Sequence, residues 1–297
     1  MRMVLVMWMA LLFFSLLSLY PSKSGDSRNV LRIGVIKTID TIHPYVAARQ
    51  GYFDEEGIDY KIYSFGTSPA LAEAIAAGEI DVAYMSFIPA AVWIGRGSQM
   101  KIVAGASRSG DIVCAREPVF SGKIAISKKG TMTENVYNTI IKGKTHLVPV
   151  YGIEPSDMPT ALLVTKDVDA VLTWEPFSYK IEESGGVCII DAGVEWEKDH
   201  GTKYQRNVLV VSKNIINNRP LLEKVLRIHN ITTKFLNSPS SYPIIVDVMG
   251  VSGFKKERVE YNAELDWESM DEMMRTAVRE GYLDHMLDYE DLVYSID

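Results

Sequence analysis

The sequence is poor in the residues that would announce chemistry. It holds 2 cysteines and 5 histidines in 297 residues. The histidines (His43, His146, His200, His229 and His285) are scattered, and none has a partner at metal-ligand spacing. Two lone cysteines leave little from which to build a zinc or iron–sulfur centre, so no metal and no cofactor is expected. A G-x-S-x-G elbow, an H-E-x-x-H helix, a Walker A loop and a G-x-G-x-x-G turn are all absent, and no catalytic residue is assigned. Basic charge is short as well. Lysine and arginine number 31 against 38 acidic residues, a net charge of −7, whereas nucleic-acid binding needs a basic face. No aromatic and basic residues interleave to hold a single strand, and nucleic acid is excluded. No low-complexity tract is present, which argues against disorder beyond the ends.

Cys114 and Cys188 lie inside apolar, strand-like runs, DIVCAR and GVCIID. One disulfide would be open to them in an oxidising compartment, but the sequence favours two unpaired cysteines acting as small hydrophobes. Long hydrophobic runs are scarce too, with one exception. Met3 to Leu19 carries no charge and follows Met1 and Arg2. It is long for a signal-peptide core and slightly short for a comfortable span. No small-x-small cleavage site follows, so an uncleaved anchor is favoured over a cleaved signal, with 1–21 as anchor or signal and 22–30 as a flexible tether. The body is expected outside the cytoplasm, held at the membrane by this segment.

What the sequence does have is alternation. LRIGVI (Leu31 to Ile36) reads as a buried strand, His43 to Phe53 as a helix, and Ile58 to Phe65 as a second strand. Gly66-Thr67-Ser68-Pro69 predicts a helix start with Ser68 as N-cap, and Gly78 its stop. A strand from Ile80 to Met85 and a helix after Pro89 follow. This order predicts an α/β fold with parallel sheets and crossover helices. The unit occurs twice: AEAIAAGEIDVAYMSFIP (Ala72 to Pro89) is matched by TALLVTKDVDAVLTWEP (Thr160 to Pro176). Two similar lobes are implied, 31–112 plus 208–297 as lobe one and 113–207 as lobe two, with a cleft between them. Strand-like segments Asp111 to Arg116 and Asn207 to Ser212 carry the chain over and back. A Met-rich stripe (Met270, Met273, Met274) at helical spacing reads as core packing.

Ligand crevices in α/β sheets lie beyond the carboxyl ends of strands, where helices begin. Four such turns are rich in small polar residues: Lys37 to His43, Gly66 to Pro69, Ser86 to Pro89, and Gly130 to Glu134. Free N–H groups at helix starts suit an oxyanion, although Thr131 to Glu134 equally fits a capping box. Trp174-Glu175 closes the second repeat. Its indole could stack on a ligand and its carboxylate accept from an amine, while a half-buried Trp and a Glu at a helix start explain the pair as well.

The stretches HPYVAARQGYFDEEGID, FGTSPALAEAIAAGEIDVAYMSFIPA, MKIVAGAS and DVDAVLTWEPF resemble the substrate-binding proteins of nitrate, sulfonate, taurine and thiamine-precursor ABC importers. The matching order runs from about Leu31 to about Asn237. The resemblance implies the two-lobed type II periplasmic-binding-protein fold, with two crossing strands as hinge and a small molecule closed between the lobes. It implies hand-over of the ligand to a permease driven by an ATPase, and a monomer is expected. By position it assigns ligand contacts to Asp40 and His43, Thr67 and Ser68, Ser86 and Phe87, Ser107, Thr131 and Thr133, Asp157, and Trp174 with Glu175. The first turn, Lys37-Thr-Ile-Asp-Thr, lacks the family's frequent aromatic–glutamine pair, and lobe two is short between Gly130 and Leu147. The rival reading is a biosynthetic enzyme on the same fold acting on a thiamine-pyrimidine or menaquinone precursor; a surface sensor is the third. The N-terminal apolar segment favours the transport receptor, since a cytosolic enzyme has no use for it.

Overall fold

The computed structural model describes residues 30–296, so the N-terminal apolar run and most of the tether lie outside the described residues. Among the described residues no helix is long and apolar enough to cross a membrane.

The apolar run at the start forms β1 (Leu31–Ile36), which pairs in parallel with β2 (Tyr60–Phe65) from Leu31↔Tyr60 to Ile36↔Phe65. Between them lie α1 (His43–Gln50) and α2 (Tyr52–Glu55). A single helix to Phe53 was expected; Gly51, at φ 79°, ends the first and reorients the chain. Next come α3 (Ser68–Ala76), β3 (Val82–Ser86), α4 (Phe87–Gly95) and β4 (Lys101–Arg108). Gly34 lets α3 settle on β1, for a Cβ there would meet Leu71 Cδ1 at 2.3 Å.

The chain then builds β5 (Ile112–Ala115), β6 (Ser121–Ile126) and α5 (Met132–Val136), which runs on as one π-helical turn over Tyr137–Ile141. It continues through β7 (His146–Tyr151), α6 (Met158–Leu163), β8 (Ala170–Thr173), α7 (Phe177–Glu183), β9 (Val187–Asp191) and α8 (Ala192–His200). β10 (Gln205–Val211) returns to the first sheet. α9 (Lys213–Ile216), α10 (Arg219–Leu236), α11 (Ser241–Met249), β11 (Glu260–Tyr261), α12 (Trp267–Arg279) and α13 (Tyr289–Leu292) complete the chain.

Two sheets result, in the orders β11-β4-β10-β3-β1-β2 and β7-β6-β8-β5-β9. Read from β2 and from β7, each follows the same plan: second strand, first, third, a visitor, fourth. The visitors are β10 and β5, and both run antiparallel to their neighbours. Parallel sheets with crossover helices were expected; both sheets are mixed instead, because β10 and β5 arrive from the other sheet rather than through a strand–helix–strand crossover within their own. The repeated sequence units fall on equivalent pieces, α3–β3–α4 and α6–β8–α7.

Apolar side chains from both sheets, among them Ile102 and Leu172, join one core with Met270, Met273 and Met274 of α12. The methionine stripe is core packing, fixed by Asn135 Nδ2 donating to Met273 O at 3.1 Å. The expectation of unpaired cysteines is overturned. Cys114 and Cys188 face each other on antiparallel β5 and β9 and form a disulfide. Their apolar runs foretold burial, but not that the two strands would be neighbours.

Candidate functional site

A cavity of about 80 Å³ lies where the two sheets face each other. That is several times the roughly 10–15 Å³ that a single water needs, so a small solute has room. Its walls come from the carboxyl ends of matching strands. Thr38 and Thr41 follow β1, Thr67 and Ser68 follow β2, and Ser86 ends β3. Opposite them, Ser127 and Lys128 follow β6, Glu154 and Pro155 follow β7, and Trp174 follows β8. Thr131, Met132 and Thr133 open α5, while Arg206 and Asn207 of β10 form the floor.

Local chemistry fixes each wall. Thr67, not Ser68, is the N-cap of α3, its hydroxyl accepting from Ala70 N at 3.4 Å. The Ser68 hydroxyl is thereby free to donate to Ser86 Oγ at 3.3 Å, and Ser86 Oγ donates to Asn207 Oδ1 at 3.1 Å. Asn207 Nδ2 donates onward to Ser107 Oγ (2.9 Å) and Asp40 Oδ2 (2.8 Å). In lobe two, Thr131 Oγ1 accepts from Glu134 N at 3.3 Å and Glu134 Oε2 accepts from Gly130 N at 2.7 Å, a capping box displaced by one residue.

The floor is a buried charge cluster. Arg206 pairs with Asp40, and its Nε and NH2 donate to Asp111 at 2.7 and 3.1 Å. Burial works against the guanidinium's charge, but Asp111 and Asp40 outweigh it and hold the group above its ordinary range. Tyr204 Oη donates to Asp111 at 2.8 Å, and burial, reinforced by that carboxylate, pushes the phenol well up. The Arg206 guanidinium lies 5.3 Å from the Trp174 ring centroid, so cation and indole stack at the cavity wall. Across the cavity Lys128 and Glu154 pair at 3.2 Å. Each of these charged groups of the wall therefore already has a counter-charge.

Of the residues assigned from sequence, Thr67, Ser68, Ser86, Thr131, Thr133 and Trp174 line the cavity. Asp40 and Ser107 stand one layer behind, holding Asn207. The others lie elsewhere. Phe87 is fully buried in the core. His43 is fully buried too, stacked on Tyr84 at 5.0 Å and on His229 at 5.3 Å, with neither ring nitrogen hydrogen-bonded. Asp157 is exposed at the start of α6. Glu175 is buried against Arg258 at 2.9 Å. The sequence reading missed Arg206 and Asn207. The signal was available: a polar Gln205-Arg206-Asn207 opens a strand otherwise wholly apolar, at the point where the chain re-enters the first lobe. Among the described residues no group of three or more His, Cys, Asp or Glu could hold a metal.

Residues 25–146 match the NMT1-like family. Proteins of Brucella abortus and Brucella suis, named as candidate binding proteins, are 28% identical over 193 residues, 61% of this chain and 57% of theirs. The match thus spans little more than half the length of these curated relatives. In three dimensions the chain is similar to the ligand-binding component of an ABC-type import system from Staphylococcus aureus, with a TM-score of 0.71 and 16% identity over 90% of this chain and 96% of that one. It is similar as well to the alkanesulfonate-binding protein of Xanthomonas axonopodis pv. citri bound to MOPS, at 0.69 and 15% over 90% and 98%. These structural likenesses show the fold, which is the type II periplasmic-binding-protein fold.

Proposed function

We propose that this NMT1-like chain is the extracytoplasmic solute-binding component of an ABC importer, a clamp that captures a small molecule between two lobes without transforming it. The observation that carries this reading is the cavity itself. Matching strand ends of two like-built lobes face each other across a space of about 80 Å³, with polar turns on both sides and an indole on one wall. Lobe one carries β1–β4, β10 and β11, lobe two carries β5–β9, within a few residues of the 31–112 plus 208–297 and 113–207 division, and the crossing segments act as hinge. Only a closed arrangement lets both lobes touch one ligand, so ligand shifts the population towards closure. The Cys114–Cys188 disulfide supports an oxidising compartment outside the cytoplasm. The apolar N-terminal run supports attachment to the membrane there, next to a permease and its ATPase.

Thr67, Ser68, Ser86, Thr131, Thr133 and Trp174 are the proposed direct contacts, with Asp40 and Ser107 shaping the floor through Asn207. The ligand class is that of sulfonates, taurine, nitrate or a thiamine-precursor pyrimidine. The test is a thermal-shift screen of the full chain against methanesulfonate, taurine, nitrate and 4-amino-5-hydroxymethyl-2-methylpyrimidine. A ligand at about 100 times its Kd adds about 2.7 kcal/mol of stability, a clear rise in Tm. Trp174→Ala should weaken the hit by more than about tenfold if the indole packs on the ligand. Chemical conversion of a hit compound would favour the enzyme reading instead, and unchanged affinity in folded Trp174→Ala would remove the indole from the site.

A further inference from the structure

The two covalent crossings are not the whole connection between the lobes. Residues 253–259 lead from α11 into β11, whose Glu260 and Tyr261 pair with Arg108 and Ser107 of β4 and so tie the segment to the first sheet. Their cations nevertheless reach across to the second lobe. Lys255 Nζ lies 2.9 Å and Arg258 NH2 3.0 Å from the same oxygen, Glu182 Oε1 on α7. Arg258 NH1 lies 2.9 Å from Glu175 Oε1. The same segment touches the hinge: Ser109 Oγ, on the first crossing, donates to Arg258 O at 3.0 Å. Gly253 sits so close to Tyr179 of α7 that a Cβ there would meet the ring at 2.8 Å.

Burial separates this cluster from an ordinary surface pair. The Glu175 side chain is 0% exposed and that of Arg258 11%. Burial opposes the Arg258 charge, yet the Glu182 and Glu175 carboxylates outweigh it and hold the guanidinium above its ordinary range. Separating such a pair would strand a charge out of water, so the contact persists through small lobe movements. Because it lies beside a crossing segment, a rotation about the hinge displaces it little. Glu175 has a second bond, accepting from Tyr179 N at 3.3 Å, and it is joined through the chain to Trp174, the indole of the cavity wall.

We propose that Arg258 is a positioning residue for the cleft: a non-covalent third link between the lobes that holds Glu175, and through it sets the orientation of Trp174 and the angle between lobes. Its bearing on ligand rests on the reading of the cleft given above. Its test uses no ligand, so the two stand or fall separately. The full chain carries five tryptophans, and with 5-fluorotryptophan incorporated each gives a 19F resonance, that of Trp174 being identified by W174F. In R258Q the Trp174 resonance should split or broaden while those of Trp196 and Trp267 stay sharp. Spin labels at E73C and V164C, both exposed sites on opposite lobes, should report an interlobe distance distribution roughly twofold wider, as other lobe angles become populated. R258K should restore part of the effect, since one ammonium reaches a carboxylate without the two-pronged geometry. Should R258Q fail to fold, E182Q removes one of the two carboxylate charges that hold Arg258 while leaving Glu175 paired, and carries the same signs at smaller amplitude. An unchanged Trp174 resonance and distance distribution in folded R258Q, or in E182Q in its place, overturns the proposal. So does equal broadening of all tryptophans, the mark of general loosening.

Discussion

The two lobes share a strand plan but are held together by different means. Lobe one sets its six-stranded sheet against large apolar clusters, and seals inside them an uncharged aromatic group: His43, Tyr84, His229 and Tyr261. Lobe two has five strands and a smaller core on one face, where Ile112, Val171 and Leu162 pack with the disulfide-bonded Cys114. The smaller lobe has less apolar area to bury and carries a covalent staple. The larger has enough area to enclose two imidazoles, His43 with no hydrogen-bond partner and His229 with Tyr84 Oη 3.2 Å from its Nδ1. Reduction and acid should therefore attack opposite halves of the molecule.

The largest separation is expected from the staple. Cys114 and Cys188 are 74 residues apart in sequence, and closing a loop of that length removes about 4 kcal/mol of unfolded-chain entropy in the chain-entropy model. The double variant Cys114→Ala, Cys188→Ala should lose stability on that scale in denaturant unfolding. Hydrogen exchange should speed up in β5, β8 and β9 before it does in β1 to β4. Equal loss of protection in both sheets would mean that the shared core, not the staple, governs lobe two.

Acid should reverse the order. Burial lowers the His229 pKa to about 4, and burial, with the neighbouring His229, lowers that of His43 well below its ordinary range. Both rings are neutral in the folded state, whereas in the unfolded chain they take up protons near pH 6.5. The unfolded state thus binds more protons between these values. Their contribution is complete above about pH 6.5 and is lost as pH falls towards the folded value, about 3 kcal/mol for His229 alone. Urea unfolding at pH 7, 5.5 and 4.5 should show this slope, and His229→Phe should flatten it by up to one proton. A slope identical in both proteins would assign the acid sensitivity to carboxylates instead.

The same contrast explains what was legible in the sequence. Apolar runs ending in Thr, Ser or Trp marked where strands meet polar turns, and that placed Thr67, Ser86, Thr131 and Trp174 along the cleft. The repeat Ala72–Pro89 and Thr160–Pro176 marked the equivalence of the lobes. Residues whose role depends on what approaches from far along the chain were not legible. Arg206 meets Asp111 across 95 residues and Asp40 across 166. His43 reads identically in a solvated loop and in a core; only the approach of His229 on α10 decides. Glu175 looked available to a ligand until residues 253–259 supplied Arg258. Cys114 and Cys188 pair because β5 enters the second sheet antiparallel between β8 and β9, a placement that no local pattern records.

The smallest difference should appear at the helix caps. Asp191 caps α8 in lobe two, accepting from Gly193 N at 2.9 Å and Val194 N at 3.1 Å; Asn218 caps α10 in lobe one, accepting from Leu221 N at 3.3 Å. Replacing either by Ala should cost about 1 kcal/mol. The two caps differ in charge, and burial raises the Asp191 pKa even though both N–H groups favour its carboxylate. Its ionised form is therefore a net burden in the folded state, where an exposed helix start would reward it. Asp191→Asn keeps an acceptor and removes the charge. It should cost less than Asp191→Ala at pH 7, and the costs of both should grow by the same amount as pH falls and the wild-type Asp191 becomes neutral. If Asn proves as damaging as Ala, the negative charge is a working part of the lobe-two cap, and desolvation in the smaller lobe is weaker than its burial suggests.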